Sequence, residues 1–338
     1  MADEKARQKR ALDESMLASA SIDGTPQVGL VVSSFTGGTE HDGSPVKGLA
    51  SPRPTNIELP DVEMRALVDR SLDLQHPGRR SIAIGPEDWV LLKIVVTPEI
   101  ATDVRVVRAL MDRLIRGRQG KRFTIAEDAP APAGYAGMIA DLAANNRRLR
   151  IEYVNLAEAP CLASPAIRRT YAANNPHGVY TLPKLFREVD KVVTVGPLRT
   201  HPMTGAALSA ASYWSFAPCS AYGPRREKLL ALGNPSDVLT DLYMHHPPDF
   251  ALLGGSSHTE GDGQDPLRHN IMIAGRNALA VDTIGAAVMG FDPRKLPLFD
   301  KLEARGFGIC DPDSIWTHGN EIEQARRAFR RPAGWSSL

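Results

Sequence analysis

Short apolar runs alternate with amphipathic stretches along most of this chain. Gln27–Phe35, Trp89–Val96, Arg122–Ala126 and Leu149–Leu156 have the length and composition of strands. Between them, Val62–Leu74 mixes Val62, Leu67, Leu72 and Leu74 with charges, which predicts an amphipathic helix. Thr102-Asp103 predicts the cap of a helix running to about Gly117, with Val106, Val107, Leu110, Met111 and Leu114 on one face. Ala136–Asn146 and Leu182–Val189 also read as helices. The β-branched run Val192, Val193, Val195 predicts a buried strand that Pro197 ends, since proline has no N–H for further pairing. Beyond it the pattern predicts a helix over Val238–His246, strands at Phe250–Leu253 and Asn270–Ala274, a helix opened by Gly275–Asp282, and another over Leu296–Arg305.

Strands alternating with helices predict βαβ units, hence an α/β fold with a mainly parallel sheet flanked by helices and a site at the carboxyl ends of the strands. Residues 1–25 are a polar lead-in. Residues 26–330 form the α/β domain, with 157–180 the boundary should it divide into two lobes. Thr36–Pro60 is rich in Gly, Pro, Ser and Thr and is expected to be a long loop, with His41, Asp42 and Arg53 its reactive-looking members. The stretches 157–180 and 217–236 are expected to be irregular, with Arg225 and Arg226 exposed.

Composition changes this picture mainly by exclusion. With 338 residues, 43% apolar and 23% charged, the chain has ample material for a core. Its formal charge of +1 gives no global field for nucleic acid or an anionic membrane. No apolar run approaches the ~18 residues of a membrane span. The charged start Met1–Arg10 lacks a following apolar region, so a cytoplasmic location is expected. Cys161, Cys219 and Cys310 are scattered and cannot supply a four-cysteine zinc or iron–sulfur site within one chain. Phosphate-loop, dinucleotide-loop, H-E-x-x-H and G-x-S-x-G motifs are missing from the sequence.

Candidate chemistry gathers after two of the strands. Past Val195 come Arg199, Thr200, His201, Thr204 and Gly205, followed by a helix-like run of small residues. Arg199 can grip a carboxylate or phosphate with two parallel hydrogen bonds. His201 can act as acid or base near neutral pH. Thr200, Thr204 and the N–H groups around Gly205 can orient an anion. After Leu253 comes His258-Thr-Glu-Gly-Asp-Gly263, read as a glycine-bent loop. Glu260 and Asp262 can serve as acid and base, or with His258 hold a hard divalent ion. Lys93 interrupts an apolar strand and needs an acidic partner or a site; Glu127 and Asp128 end the next strand. Asn277 is a candidate both for a helix cap and for substrate binding, and Asp282 for an ion pair with Lys93 or Arg199. Trp214 and its aromatic neighbours can wall a pocket. Because strands of a parallel sheet end on one side, Arg199, His201, Glu260 and Asp262 are expected to converge on one pocket.

The run Asp-x-Val-Val-x-Val-x-x-Leu-Arg-Thr-His-x-x-Thr-Gly from Asp190 to Gly205 resembles the central motif of the family catalogued as domain of unknown function three-six-two. The resemblance extends roughly over residues 26–310, including the 258–263 loop. The family usually has Lys-Thr-His where this chain has Arg199-Thr200-His201, Lys-Pro-Asn where it has Lys93-Ile94-Val95, and Lys-Asn where it has Ala211-Ser212. Many relatives carry a ferredoxin-like iron–sulfur module, for which this chain lacks the cysteines. The family's chemistry is mostly unassigned; together with the candidate residues, the resemblance leads to the expectation of a cytoplasmic enzyme acting on a small anionic metabolite by lyase, isomerase or redox chemistry, with a divalent metal ion as an optional cofactor. The alternative is an altered member that binds a metabolite or partner without turnover.

Overall fold

The computed structural model describes residues 21–22, 25–33, 35–39, 45–47, 57–74, 82–165 and 170–335. His41, Asp42, Arg53 and the start of the lead-in lie outside them. Nine strands of the described residues form one mixed, mainly parallel sheet: β1 (Ser21–Ile22), β2 (Thr25–Val32), β3 (Trp89–Lys93), β4 (Arg122–Glu127), β5 (Arg150–Asn155), β6 (Lys191–Gly196), β7 (Phe250–Glu260), β8 (Asp265–Gly275) and β9 (Trp316–Gly319). Across the sheet the order is β5-β4-β3-β6-β7-β8-β2, with β1 and β9 both on the far edge of β2. The pairings from β5 to β7 are parallel, while β8 runs antiparallel to both β7 and β2.

Period-2 alternation divides the apolar side chains between two layers. Val90, Leu92, Val193, Val195, Leu252 and Met272 face one core with α1 (Asp61–Leu74), α2 (Val104–Arg116) and α3 (Tyr135–Asn145). Leu91, Val192, Ala251, Leu253 and Ile273 face the other, packed by α4 (Pro235–His245), α5 (Ala278–Val288) and α6 (Pro297–Ala304). The expected cap of α2 is present: the Asp103 carboxylate accepts the Arg105 N–H at 2.9 Å.

Four expectations are corrected. The stretch after Leu253 is not a loop but the continuation of β7, which pairs with β8 as far as Glu260↔Asp265. Its glycines misled the reading: a side chain at Gly254 (φ +132°) would collide with the Ile271 carbonyl, so glycine here permits close strand approach. The 157–180 stretch contains a small antiparallel pair, Cys161–Pro165 with Val179–Pro183. The small residues after Gly205 do not open an α-helix; Gly205-Ala206 pairs back on Thr200-His201, and a 3-10 turn follows over Ala210–Phe216. β9, which the apolar pattern did not flag, adds a parallel edge strand.

Candidate functional site

In chain order β3, β4 and β5 are laid outward in one direction, and β6 and β7 then return on the other side of β3. The direction reverses between β3 and β6, and open α/β sheets bind ligands in the crevice outside such a switch point. Thr102 ties the two strand ends together: its hydroxyl accepts the Val95 N–H at 2.9 Å and donates to the Val195 carbonyl at 3.1 Å. Above them opens a cavity of about 360 Å³. Its lining includes Val96 and Glu99 after β3, Glu127 and Asp128 at the end of β4, Arg199–His201 and Thr204 after β6, Ser212 and Trp214 from the 3-10 turn, Arg226, and Asp262 from the β7–β8 turn.

The charges at this cavity fall into two groups. Two acid–base pairs are committed to each other. Lys93, fully buried, meets Glu127 Oε2 at 2.6 Å and also donates to the Ile94 carbonyl. Burial pushes the Lys93 pKa down, against the opposing pull of Glu127. Arg226 pairs with Asp128, whose carboxylate also accepts the Cys219 N–H at 2.8 Å. Arg199 differs. Its Nε is buried with no hydrogen-bond partner, and among the described residues no carboxylate lies within ion-pair distance of its guanidinium. Burial lowers its pKa, but a guanidinium stays charged. The Thr204 hydroxyl, on the same cavity, is buried and also unpartnered.

His201 is half-buried and lines the cavity. Burial and then the Arg199 charge lower its pKa, while Asp262 opposes them. The ring is therefore neutral at pH 7. Its Nδ1 accepts the Met203 N–H at 3.1 Å, which places the ring proton on Nε2. The bend that presents His201 depends on Gly205 (φ +71°), where a side chain would strike the Trp335 ring and Leu296. Trp335 in turn donates from Nε1 to the Pro202 carbonyl at 2.8 Å.

Arg199, Thr200, His201, Thr204 and Asp262 thus border one cavity, with Lys93 behind its wall on Glu127. Not every candidate presents its side chain to the cavity. Thr200 directs its hydroxyl to the Gly261 carbonyl rather than to a ligand. Gly205 serves tertiary packing. Glu260 is not in the lining; its carboxylate accepts the Arg330 N–H at 2.8 Å. His258 cannot join a metal site with Glu260 and Asp262, because both ring nitrogens are engaged. Nδ1 accepts from the Leu198 N–H at 3.0 Å and Nε2 meets the His269 carbonyl at 2.6 Å. Among the described residues, no group of three or more His, Cys, Asp or Glu side chains is placed to hold a metal ion. Asn277 caps α5 through the Ala280 N–H and does not reach the cavity. Asp282 pairs with neither Lys93 nor Arg199; it accepts the Ser209 and Ala210 N–H groups at 2.9 and 2.8 Å and so anchors the 3-10 turn. Arg226 is half-buried on Asp128, not exposed, and Glu99 was not singled out at all.

No helix of the described residues is long and apolar enough to cross a membrane. Curated proteins include no match to the chain. Among solved structures, the lactate racemase apoprotein from Thermoanaerobacterium thermosaccharolyticum is similar at 14% identity and a TM-score of 0.40. That alignment covers 69% of this chain and 57% of the racemase. The sequence profile of the family described as domain of unknown function (DUF362) matches residues 90–287, from β3 through the body of α5 and across every strand that borders the cavity. The chain belongs to that family.

Proposed function

We propose that the switch-point cavity binds a small anionic metabolite and that the chain is an enzyme acting on it. The observation that carries this reading is the pair of unsatisfied donors, Arg199 Nε and Thr204 Oγ1, on one cavity. Buried donors without partners are costly, and an anion's oxygens would satisfy both. The neutral His201 adds a third donor, its Nε2–H, suited to polarise a carbonyl or hydroxyl of the bound molecule. Lyase and isomerase chemistry can run on proton-handling groups, and His201 and Asp262 supply such groups at the cavity. The second reading, binding without turnover, draws support from Lys93 and Arg226, whose charges are already committed to Glu127 and Asp128.

The test is an NMR screen of small carboxylic acids and phosphate esters, scoring binding by saturation transfer and conversion by product signals. Removing a charge-assisted contact is worth about 1.5–3 kcal/mol, so Arg199→Ala should weaken binding of any hit by roughly ten- to a hundredfold. His201→Ala should abolish conversion with binding largely retained. Unchanged affinity in Arg199→Ala would refute the site. A wild-type protein that binds but converts no acid of the screen would favour the second reading.

A further inference from the structure

The arrangement of charge along the cavity carries a statement about the ligand's far end. At the inner wall Lys93 cancels Glu127 and Arg226 cancels Asp128, which leaves Arg199 as the cation without a carboxylate partner among the described residues. Thr204, only 4% exposed, adds its unpartnered hydroxyl to the same depth. The remaining carboxylates of the lining, Glu99 and Asp262, are both exposed and therefore stand toward solvent, where the cavity opens. Asp262 is fixed there because its Oδ1 accepts the Ala333 N–H at 2.8 Å. One positive group lies inside and two negative groups flank the exit. The half-buried indole of Trp214 contributes an aromatic face to the same lining.

From this we infer that the cavity selects a compact monoanion whose distal end is uncharged or cationic, and discriminates against dianions. The inference rests on the anion-binding reading above. A carboxylate seated on Arg199 and Thr204 projects the rest of its molecule toward Glu99 and Asp262. A second carboxylate there meets like charge, an ammonium group meets opposite charge, and a methyl group meets neither.

Three acids of equal chain length separate these cases: butyrate, 4-aminobutyrate and succinate, titrated calorimetrically into the full-length protein at low salt and pH 7.5. Butyrate and 4-aminobutyrate should bind more tightly than succinate by about three- to tenfold, the summed scale of repulsion from two exposed carboxylates at low salt. In Glu99→Gln/Asp262→Asn the succinate penalty should shrink to within about twofold. The asparagine keeps the oxygen that accepts from Ala333, so the turn stays anchored. Succinate binding as tightly as butyrate to the wild-type protein, or a penalty that survives the double substitution, would overturn the inference while leaving the anion site standing. Failure of all three acids, and of inorganic phosphate, to bind would overturn the inference together with the site itself.

Discussion

Replacing Lys93 by methionine tests the innermost part of the site. Its ammonium is fully buried, 2.6 Å from Glu127 Oε2, and lies 5.6 Å from the centre of the Phe216 ring. At the 2.6 Å separation from Glu127 the Coulomb attraction is about 6 kcal/mol for an effective dielectric constant near 20. Desolvating the two ions costs several kcal/mol each, so the net worth of the intact pair is small. The consequence is an asymmetry between single and double substitution. Lys93→Met strands the Glu127 carboxylate, which should cost about 3–5 kcal/mol, whereas Lys93→Met/Glu127→Leu should come back to within about 1–2 kcal/mol of the wild type. Glu127→Gln should be milder than Lys93→Met, because burial already pushes the Lys93 pKa below its ordinary 10.5 and the amine can shed its charge. A folded-state pKa below the unfolded value means stability is lost as pH falls, so the Glu127→Gln deficit should shrink as pH rises toward 10. Urea unfolding of the four proteins reads these differences. A Lys93→Met loss under about 1 kcal/mol, or a double variant no better than the single, would refute the account of a desolvated, mutually dependent pair.

Acidification should destabilise the fold before it reaches the ordinary carboxylate range. Burial holds His258 and His245 at about 4 and His269 at about 3, below their ordinary 6.5. Their contribution is therefore present above pH 6.5 and lost as pH falls toward 4, up to about 3 kcal/mol for each of the first two. Asp282, pushed up to about 7, contributes in the opposite sense over the same window and offsets part of this. Urea midpoints should fall from pH 7 to 4.5, and His269→Leu, which removes a ring with no hydrogen-bond partner, should flatten the slope; a slope left unchanged by it counts against the assignment. Trp335→Ala removes both the packing on Gly205 and the hydrogen bond to Pro202, so trypsin should cut after Arg330 faster than in the wild-type protein (the Arg331–Pro332 bond resists it). Equal cleavage rates would show that the indole does not hold the tail.

The layers of the fold were legible because the apolar periodicity is strong: Val192–Val195, the single-sided Val106–Leu114 face and the Asp103 cap each specify their element locally. The strand order was not, since it depends on which strand returns beside β3, and no local pattern encodes that. The crevice between β3 and β6 therefore emerged only from the topology. Polar residues were misjudged where a long-range backbone partner decided their role. His258 resembles a ligand in the string His-Thr-Glu-Gly-Asp, yet it is held by Leu198 and by the His269 carbonyl across the hairpin. Asp282 resembles an ion-pair partner, yet it serves two N–H groups more than seventy residues away in sequence. Arg226 gave no signal because its acceptor, Asp128, belongs to another strand end. The position of Arg199 and His201 at the cavity could be read because both sit directly beyond the β-branched strand that carries them.

The departures from the family pattern bear on the same cavity in a consistent direction. Where relatives are expected to carry a lysine followed by Thr-His, this chain places Arg199, whose planar fork matches the two oxygens of one carboxylate better than a point charge does. Where the pattern expects Lys-Asn it has Ala211-Ser212, and both of these small residues lie in the cavity wall. On the proposed anion-binding reading, the first change would sharpen recognition of a single anionic group. The second leaves the wall without a further cation, since the Ser212 hydroxyl is turned to the Ser209 carbonyl at 2.6 Å. Lys93, the one lysine of the pattern that is kept, is spent on Glu127. A ligand with two anionic groups would thus find one unpaired guanidinium, since Arg226 is held by Asp128, while Glu99 and Asp262 face the exit. On the proposed reading, the substitutions at Arg199 and Ala211-Ser212, taken with the rim carboxylates, would give the cavity one anion-binding end.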